Sequence, residues 1–512
     1  MRIVASLALT GLAVALAAGI TAGVAAQTQA ARTPPPAAQP MAGGAQHCAA
    51  FTAAALGLSG ASVDYVGADA AKGMPAFCEV KGTLSPVAGS NIGVVYRLPD
   101  TWNGKVLGLG GGGWAGNVTL QAASEGLKKG YATLQTDAGH AATTVWDAAW
   151  ATNPEAVKDF SYRAVHEMTV AGKKLVEAYY ARTPDKAYFQ GCSTGGRMAL
   201  MEAQRYPADY DAITAGAPVY TLQVQTSAIL RNLAFQKDGG GFSPADLKLA
   251  QAAALNACDA QDGLKDGLIN NPRECRWDPA TIQCSGAKDA GCLAPAQVSA
   301  LRAVYAGQRG PDGQWAMLPM NRGGEDGWTM FVGTAGTGND ASYGALNVLF
   351  PMALGHPVDL AAFSAADVPI LRATPFGKMY DAADPNLAPF FRRGGRLILW
   401  HGESDPGPSP VGTVDYANAV ARQVPAANQQ MRLFLLPGVG HCGGGPGAAP
   451  IPVLDALDSW VKSGQAPPML VGAKPDNSVI RPQCAWPDVA HYRGSGSPND
   501  PASWQCVRRP NA

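Results

Sequence analysis

Ala187-Tyr188-Phe189-Gln190-Gly191-Cys192-Ser193-Thr194-Gly195-Gly196-Arg197 decides how this chain folds. Residues 187–190 have strand character, and residues 197–206 carry a helical pattern. Between them, Gly191-Cys192-Ser193-Thr194-Gly195 fits Gly-x-Ser-x-Gly. That pentamer acquires meaning from its context, a sharp strand-to-helix turn that exposes a hydroxyl. Small flanking residues permit the strained backbone, and the start of the following helix favours negative charge nearby.

Working outward, residues 94–98, 105–109, 131–135 and 211–215 read as further short strands. Residues 159–182 read as a long helix, with Tyr162, Val165, Met168, Thr169, Leu175, Val176 and Tyr179 at helical spacing. Strands alternating with helices imply a parallel α/β sheet. From about residue 219 to 384 the pattern stops. That stretch reads as irregular, with four cysteines, Asp-Gly and Gly-Gly pairs and scattered aromatics. The α/β pattern resumes at residues 396–400 and 431–436, and 451–463 is the last clear helix. The expected organisation is a core built from residues 45–218 and 385–512, interrupted by an inserted domain of residues 219–384.

A free serine is a poor nucleophile and needs a base with a group to orient it. Asp405, in His401-Gly402-Glu403-Ser404-Asp405-Pro406, follows the strand at 396–400. His441, in Pro437-Gly438-Val439-Gly440-His441, follows the strand at 431–436. The order Ser, Asp, His and the placement beyond strand carboxyl ends are those of an α/β-hydrolase core. Ser193, Asp405 and His441 are therefore the candidate catalytic residues. An oxyanion needs two N–H donors. Thr194 follows the serine, and the run Gly110 to Gly113 follows a strand, so Thr194, Gly112 and Gly113 are the candidate donors. Glu403 and His401 are a rival acid and base, Cys192 a rival nucleophile, and His166 reads as a packed helix residue.

Composition narrows the function classes. The 512 residues are 47% hydrophobic and 15% charged, below the ~25% charged of an average protein. Lys+Arg and Asp+Glu both number 39, with no block of like charge. Nucleic-acid binding, which needs a basic patch, is not expected. Glycine (61) and proline (39) make up about a fifth of the chain, which reads as loop-rich and globular.

Met1-Arg2 followed by an Ala/Leu/Val-rich stretch to Ile20, then Val24-Ala25-Ala26, reads as a secretory signal peptide over residues 1–26. Residues 27–44, rich in Ala, Pro and Gln, read as a disordered leader. No later stretch approaches the ~20 apolar residues of a spanning helix. A secreted or periplasmic protein without stable membrane association is expected. Ten cysteines in an exported chain suggest five disulfides, whose connectivity the sequence alone leaves open.

With these residues in hand, the chain resembles the tannase and feruloyl esterase family. The marks are Cys192-Ser193, Asp405 and His441-Cys442, supported by residues 108–116, 160–182 and the tail from Arg481-Pro482-Gln483-Cys484 to Cys506. The resemblance spans about residues 48–506. It implies an inserted lid over the active site and a Cys192–Cys442 disulfide beside the triad. The remaining implied pairs are Cys48–Cys78, Cys258–Cys275, Cys284–Cys292 and Cys484–Cys506. It also implies a Ca2+ site in residues 258–269, with Asp259, Asp262 and Asp266 as carboxylates and Leu264 and Leu268 as carbonyl donors. From the residues alone, the same stretch reads rather as a pair of Asp-Gly turns with solvated carboxylates. The implied activity is hydrolysis of small aromatic esters, galloyl or feruloyl, with terephthalate monoesters as the alternative. A peptidase or a non-catalytic binding protein are more distant readings. Trp315, Trp328, Phe331, Tyr343 and Phe350 are candidate substrate contacts that read more readily as lid core. Arg322 reads as a surface residue that could meet a substrate carboxylate.

Overall fold

The computed structural model describes residues 43–52, 57–330 and 340–509. The signal and all but the end of the leader lie outside these residues, as does Phe331 and the side chain of Tyr343. Gly43 and Gly44, assigned above to the leader, open a short helix.

The described residues build a nine-stranded sheet. Its strands are β1 (Ser59–Val66), β2 (Phe77–Leu84), β3 (Ile92–Pro99), β4 (Lys105–Leu109), β5 (Ala132–Thr136), β6 (Lys186–Cys192), β7 (Ala212–Gly216), β8 (Arg396–Gly402) and β9 (Met431–Leu436). Their order is β1-β2-β3-β5-β4-β6-β7-β8-β9. β1, β2, β3 and β5 pair antiparallel, and β5, β4, β6, β7, β8 and β9 pair parallel. β1 and β2 carry no sign in the reading above. β1 is largely exposed, so its apolar signal is weak.

The parallel strands are apolar on both faces because helices cover both. Successive side chains alternate between two cores. Leu107, Tyr188, Ile398 and Phe434 face α1 (Leu120–Lys128) and α8 (Val453–Ser463), meeting Ala123, Leu127, Leu454, Leu457 and Trp460. Val106, Phe189, Leu397, Leu399 and Leu433 face the other side. There they meet α2 (Ala164–Tyr180), α3 (Thr194–Arg205) and α7 (Pro410–Gln423) through Met168, Val176, Met198, Leu200 and Val420. Each fully buried Leu or Met contributes roughly 1.5–3 kcal/mol relative to an exposed one. α2 is shorter than expected at both ends. A π-helical turn occupies Asp159–Arg163, and Ala181 stops the helix in a left-handed conformation, φ 51°.

Between β7 and β8 the chain leaves the sheet. The expectation of irregular structure fails here, because this stretch holds α4 (Gln223–Gln236), α5 (Pro244–Cys258) and α6 (Pro295–Ala306). α4 buries Gln223, Thr226, Ser227, Arg231 and Asn232 beside Ile229, Leu230 and Phe235, which erases its hydrophobic period. α5 could have been found from its start. Ser243 at the N-cap and Asp246 at the third helical position form a capping box, with Pro244 at the first. This segment has its own core around Phe235, Phe242, Leu247, Leu301 and Trp328. Two C-terminal ribbons follow, β10 (Met469–Ala473) with β11 (Ile480–Cys484), and β12 (Asp488–Tyr492) with β13 (Trp504–Arg508). Among the described residues, no helix is long and apolar enough to cross a membrane.

Five disulfides join Cys48–Cys78, Cys192–Cys442, Cys258–Cys275, Cys284–Cys292 and Cys484–Cys506. These are the pairs the resemblance implies.

Candidate active site

Ser193 stands between β6 and α3 with φ 62° and ψ −125°. A non-glycine residue there stores about 1–3 kcal/mol of strain. The turn is held by Ser193 N–H donating to Gly216 O (3.0 Å) and by Val219 and Arg197 N–H donating to Ser193 O (both 3.1 Å). Its neighbours must be small. A Cβ on Gly191 would lie 2.2 Å from Gly195 O, and one on Gly110 would lie 2.4 Å from Gly195 Cα.

Three loops, each just past a strand, meet at this point. His441 Nε2 lies 2.9 Å from Ser193 Oγ, and His441 Nδ1 lies 2.7 Å from Asp405 Oδ2. A carboxylate can only accept, so Nδ1 carries the proton and Nε2 is free to accept from the serine hydroxyl. Asp405 is buried, and its Oδ1 accepts from Gly407 N–H at 2.8 Å. Burial alone pushes its pKa up. The imidazoles of His441 and His401 outweigh that and bring it to about 2. The carboxylate is therefore ionised at any ordinary pH.

His401 is not exposed as an alternative base. Its Nε2 lies 3.0 Å from Pro408 O and 3.2 Å from Asp405 Oδ2, and its Nδ1 lies 2.7 Å from Thr413 Oγ1. A carbonyl only accepts, so Nε2 holds the proton and donates to the Asp405 side. Sequence reading had made His401 a rival, whereas the fold makes it a second donor to Asp405. Glu403 points away, to Asn321 Nδ2 (2.6 Å), Arg273 and Arg509 (both 3.4 Å). Cys192 is committed to its disulfide with Cys442. His166 pairs with Asp209 at 2.6 Å and stacks on Tyr206.

Of the candidate oxyanion donors, Gly112 is otherwise engaged. Its N–H donates to Ala115 O at 3.1 Å in a tight reciprocal bridge. The N–H groups of Thr194 and Gly113 have no hydrogen-bond partner among the described residues.

Ser193 and His441 open into a cavity of about 380 Å³ whose walls include Trp114, Val145, Trp146, Val224 and Leu346. Among the described residues, the aromatic walls are thus Trp114, beside the glycine run, and Trp146. Periodicity gave no signal for Trp146, which lies in a loop. The three lid aromatics with described side chains are elsewhere. Trp328 and Phe350 are core residues, and Trp315 packs under Arg309 and bonds Asp415. Arg322 is part-buried over the Tyr305 ring, donating to Trp277 O at 2.8 Å, and lines no part of this cavity.

In the 258–269 loop, Asp259 accepts from the N–H groups of Asp266 (3.1 Å) and Gly267 (2.9 Å). Asp266 pairs with Arg481 at 2.5 Å. Asp262 Oδ2 is buried with no partner among the described residues. Burial, with the Asp266 and Asp259 carboxylates nearby, pushes Asp262 up to about 7. As the side chains stand, no three His, Cys, Asp or Glu residues converge as a metal-ligand set among the described residues.

A mixed sheet flanked by helices, parallel from β5 to β9, with Ser193, Asp405 and His441 just past strand ends in that chain order, is the architecture of an α/β-hydrolase. The chain belongs to the tannase and feruloyl esterase family, whose description "Tannase and feruloyl esterase" matches residues 78–507. It is a carboxylic ester hydrolase. It is 34% identical to the mono(2-hydroxyethyl) terephthalate hydrolase of Piscinibacter sakaiensis, covering 86% of each chain. It is 31% identical to a probable feruloyl esterase of Arthroderma benhamiae, covering 84% of this chain and 86% of that one. The crystal structure of feruloyl esterase B from Aspergillus oryzae superposes with a TM-score of 0.80 at 27% identity, covering 90% of this chain and 99% of that one.

The Cys192–Cys442 bond ties the residue before Ser193 to the residue after His441 across 250 positions. Chain entropy caps its stabilisation at about 5 kcal/mol. Its geometric effect is the more telling, since a displacement of about 1 Å costs roughly a hundredfold in rate. Replacing both cysteines by alanine is expected to lower kcat by about that factor at a temperature where circular dichroism shows the variant folded. Wild-type turnover in the folded variant would show that the bond does not position the site.

Proposed function

We propose that this chain hydrolyses esters of aromatic carboxylic acids, feruloyl and galloyl esters among them, with Ser193 as nucleophile. The observation that carries the reading is the hydrogen-bonded series Ser193–His441–Asp405 opening into a cavity walled by Trp114 and Trp146. Ser193 Oγ attacks the ester carbonyl as His441 Nε2 takes its proton. Asp405 holds His441 with Nδ1–H toward itself and stabilises the imidazolium. The developing oxyanion accepts from Thr194 and Gly113 N–H. His441 then returns the proton to the leaving alcohol, leaving an acyl-enzyme. Water attacks that ester with His441 again as base, releasing the acid and restoring Ser193.

A terephthalate monoester is the second reading, favoured by the 34% identical relative named for that substrate. A panel of methyl ferulate, methyl gallate, mono(2-hydroxyethyl) terephthalate, p-nitrophenyl acetate and a chromogenic peptide separates the readings. The highest kcat/KM is expected on an aromatic acid ester. Preference for the peptide, or no turnover at all, would overturn the proposal. The proposal includes export, with residues 1–26 removed. N-terminal sequencing of protein from the periplasm or medium tests it.

The segment 219–384 acts in this reading as a lid, and its 258–269 loop as a calcium site. The buried, unpartnered Asp262 oxygen belongs to a carboxyl whose pKa burial and the nearby Asp266 and Asp259 carboxylates raise. It suits a hard divalent cation, which takes six to eight oxygens and would have to draw those carboxylates in. Asp259, Asp262, Asp266 and the carbonyls of Leu264 and Leu268 would hold it. The ion's part is to stabilise the fold; it lies outside the chemistry. Calcium at a hundred times its Kd should stabilise the protein by about 2.7 kcal/mol. A Tm that rises with calcium in the wild type, and not in Asp262→Asn, is the expected result. A metal-free wild type, verified by elemental analysis, whose Tm ignores added calcium would remove the site.

A further inference from the structure

The glycine run and the start of α3 are interlocked by side chains as well as by backbone. Gly195 N–H donates to Gly111 O at 2.9 Å, and Gly111 N–H meets Met198 Sδ at 3.3 Å. The third link is made by the residue next to the serine. The Thr194 hydroxyl donates to Gly113 O. The other end of the same peptide unit is also held, because Trp114 N–H donates to Val145 O at 2.6 Å. Gly113 itself is in the left-handed region at φ 57°, and a Cβ there would lie 2.2 Å from Val145 O. A glycine has no side chain to fix its own torsions. Its N–H belongs to the Gly112–Gly113 peptide, whose Gly112 O accepts from Ala115 N–H at 3.0 Å. That amide is therefore held on one side by the bridge and on the other by whatever pins the Gly113–Trp114 peptide.

We propose that the Thr194 side chain is a positioning residue for the oxyanion site, its hydroxyl clamping the Gly113 carbonyl so that Gly113 N–H and Thr194 N–H converge on one point. One residue then contributes twice, with a backbone donor and with a side chain that aims the opposite donor. This rests on the proposed serine mechanism and adds to it a group that touches no reacting atom.

The hydroxyl can be removed without touching the backbone donor. Thr194→Val keeps the β-branched shape and the N–H. Thr194→Ala removes the hydroxyl without added bulk, should valine fail to fold. Loss of a whole oxyanion donor costs roughly 10²–10³ in kcat. A donor left in place but released from its clamp should cost less, on the order of 10–100-fold. KM should stay within about threefold, because the ground-state carbonyl gains little from the site. Binding of an arylboronic acid, whose tetrahedral adduct carries the oxyanion, should weaken by the same factor as kcat. Thr194→Ser should restore most of both.

The serine mechanism and the threonine clamp fail separately. An active Ser193→Ala variant would refute the serine mechanism, and the clamp with it. With Ser193→Ala inactive, a folded Thr194→Val or Thr194→Ala with wild-type kcat and boronate affinity would refute the clamp alone. So would a loss appearing in KM rather than kcat, or a Thr194→Ser variant as impaired as valine, since either would indicate a packing role.

Discussion

Ser193→Ala is expected to lower kcat by a factor on the order of 10⁵ or more while the protein keeps its fold and Tm. The size follows from the unit nature of such sites, in which loss of the nucleophile costs about as much as loss of the whole triad. The residue is also unusual in its backbone, at φ 62° and ψ −125°. Alanine keeps the Cβ, so the strain and the hydrogen bonds to Gly216 O and from Val219 and Arg197 N–H are retained. Stability should therefore change little, and the loss should read as chemistry. The decisive measurement is single-turnover acylation with a p-nitrophenyl ester. A wild-type burst from Ser193→Ala would place the nucleophile elsewhere.

Asp405→Asn is expected to cost about 10⁴ in kcat, the order seen when a triad histidine is left in the wrong tautomer. The surroundings of this carboxylate make the reason specific. Three donors converge on it: His441 Nδ1–H and His401 Nε2–H on Oδ2, and Gly407 N–H on Oδ1. Asparagine has one oxygen to offer. Its amide nitrogen must face either Gly407 N–H or the two imidazoles. In the second case His441 escapes the clash by moving its proton to Nε2, where it can no longer accept from Ser193. Glu403→Gln, two residues away but bonded to Asn321, Arg273 and Arg509, should leave the rate of folded molecules unchanged.

The same carboxylate makes a pH prediction. Its folded pKa of about 2 lies below the ~3.9 of an unfolded aspartate. Its ionised form therefore stabilises the fold above about pH 4, and that contribution is lost as pH falls toward 2. Urea denaturation from pH 5 to 2 should show this loss in the wild type, and Asp405→Asn should lack it. Equal acid sensitivity in both proteins would contradict the assignment.

Much of this was legible in the chain itself. The strand, the Gly-x-Ser-x-Gly turn and the helix after it are contiguous, so local propensity and glycine chemistry encode them directly. Asp405 and His441 could be singled out because each follows an apolar strand closely, and parallel sheets gather such loops at one end. The family resemblance added the disulfide pairs, which spacing alone left open. The helices of residues 223–236 and 244–258 escaped notice because the first buries polar side chains and so lacks an amphipathic period.

Other features depended on contacts between residues far apart in the chain. That Gly112 N–H is engaged was decided by the Gly112–Ala115 bridge, and that the Thr194 hydroxyl meets Gly113 O, 81 positions away, by the packing of α3 on the glycine run. That His401 serves Asp405 instead of rivalling His441 was decided by Pro408 O and Thr413 around it. That Trp146 walls the cavity while Trp328 fills a core was decided by packing alone. By itself the sequence determined the fold class and the candidate residues Ser193, Asp405 and His441, because turn and strand signals act over a few residues. Only the tertiary structure decided the direction of each hydrogen bond and the lining of the pocket, because those depend on which distant groups share a few cubic ångströms.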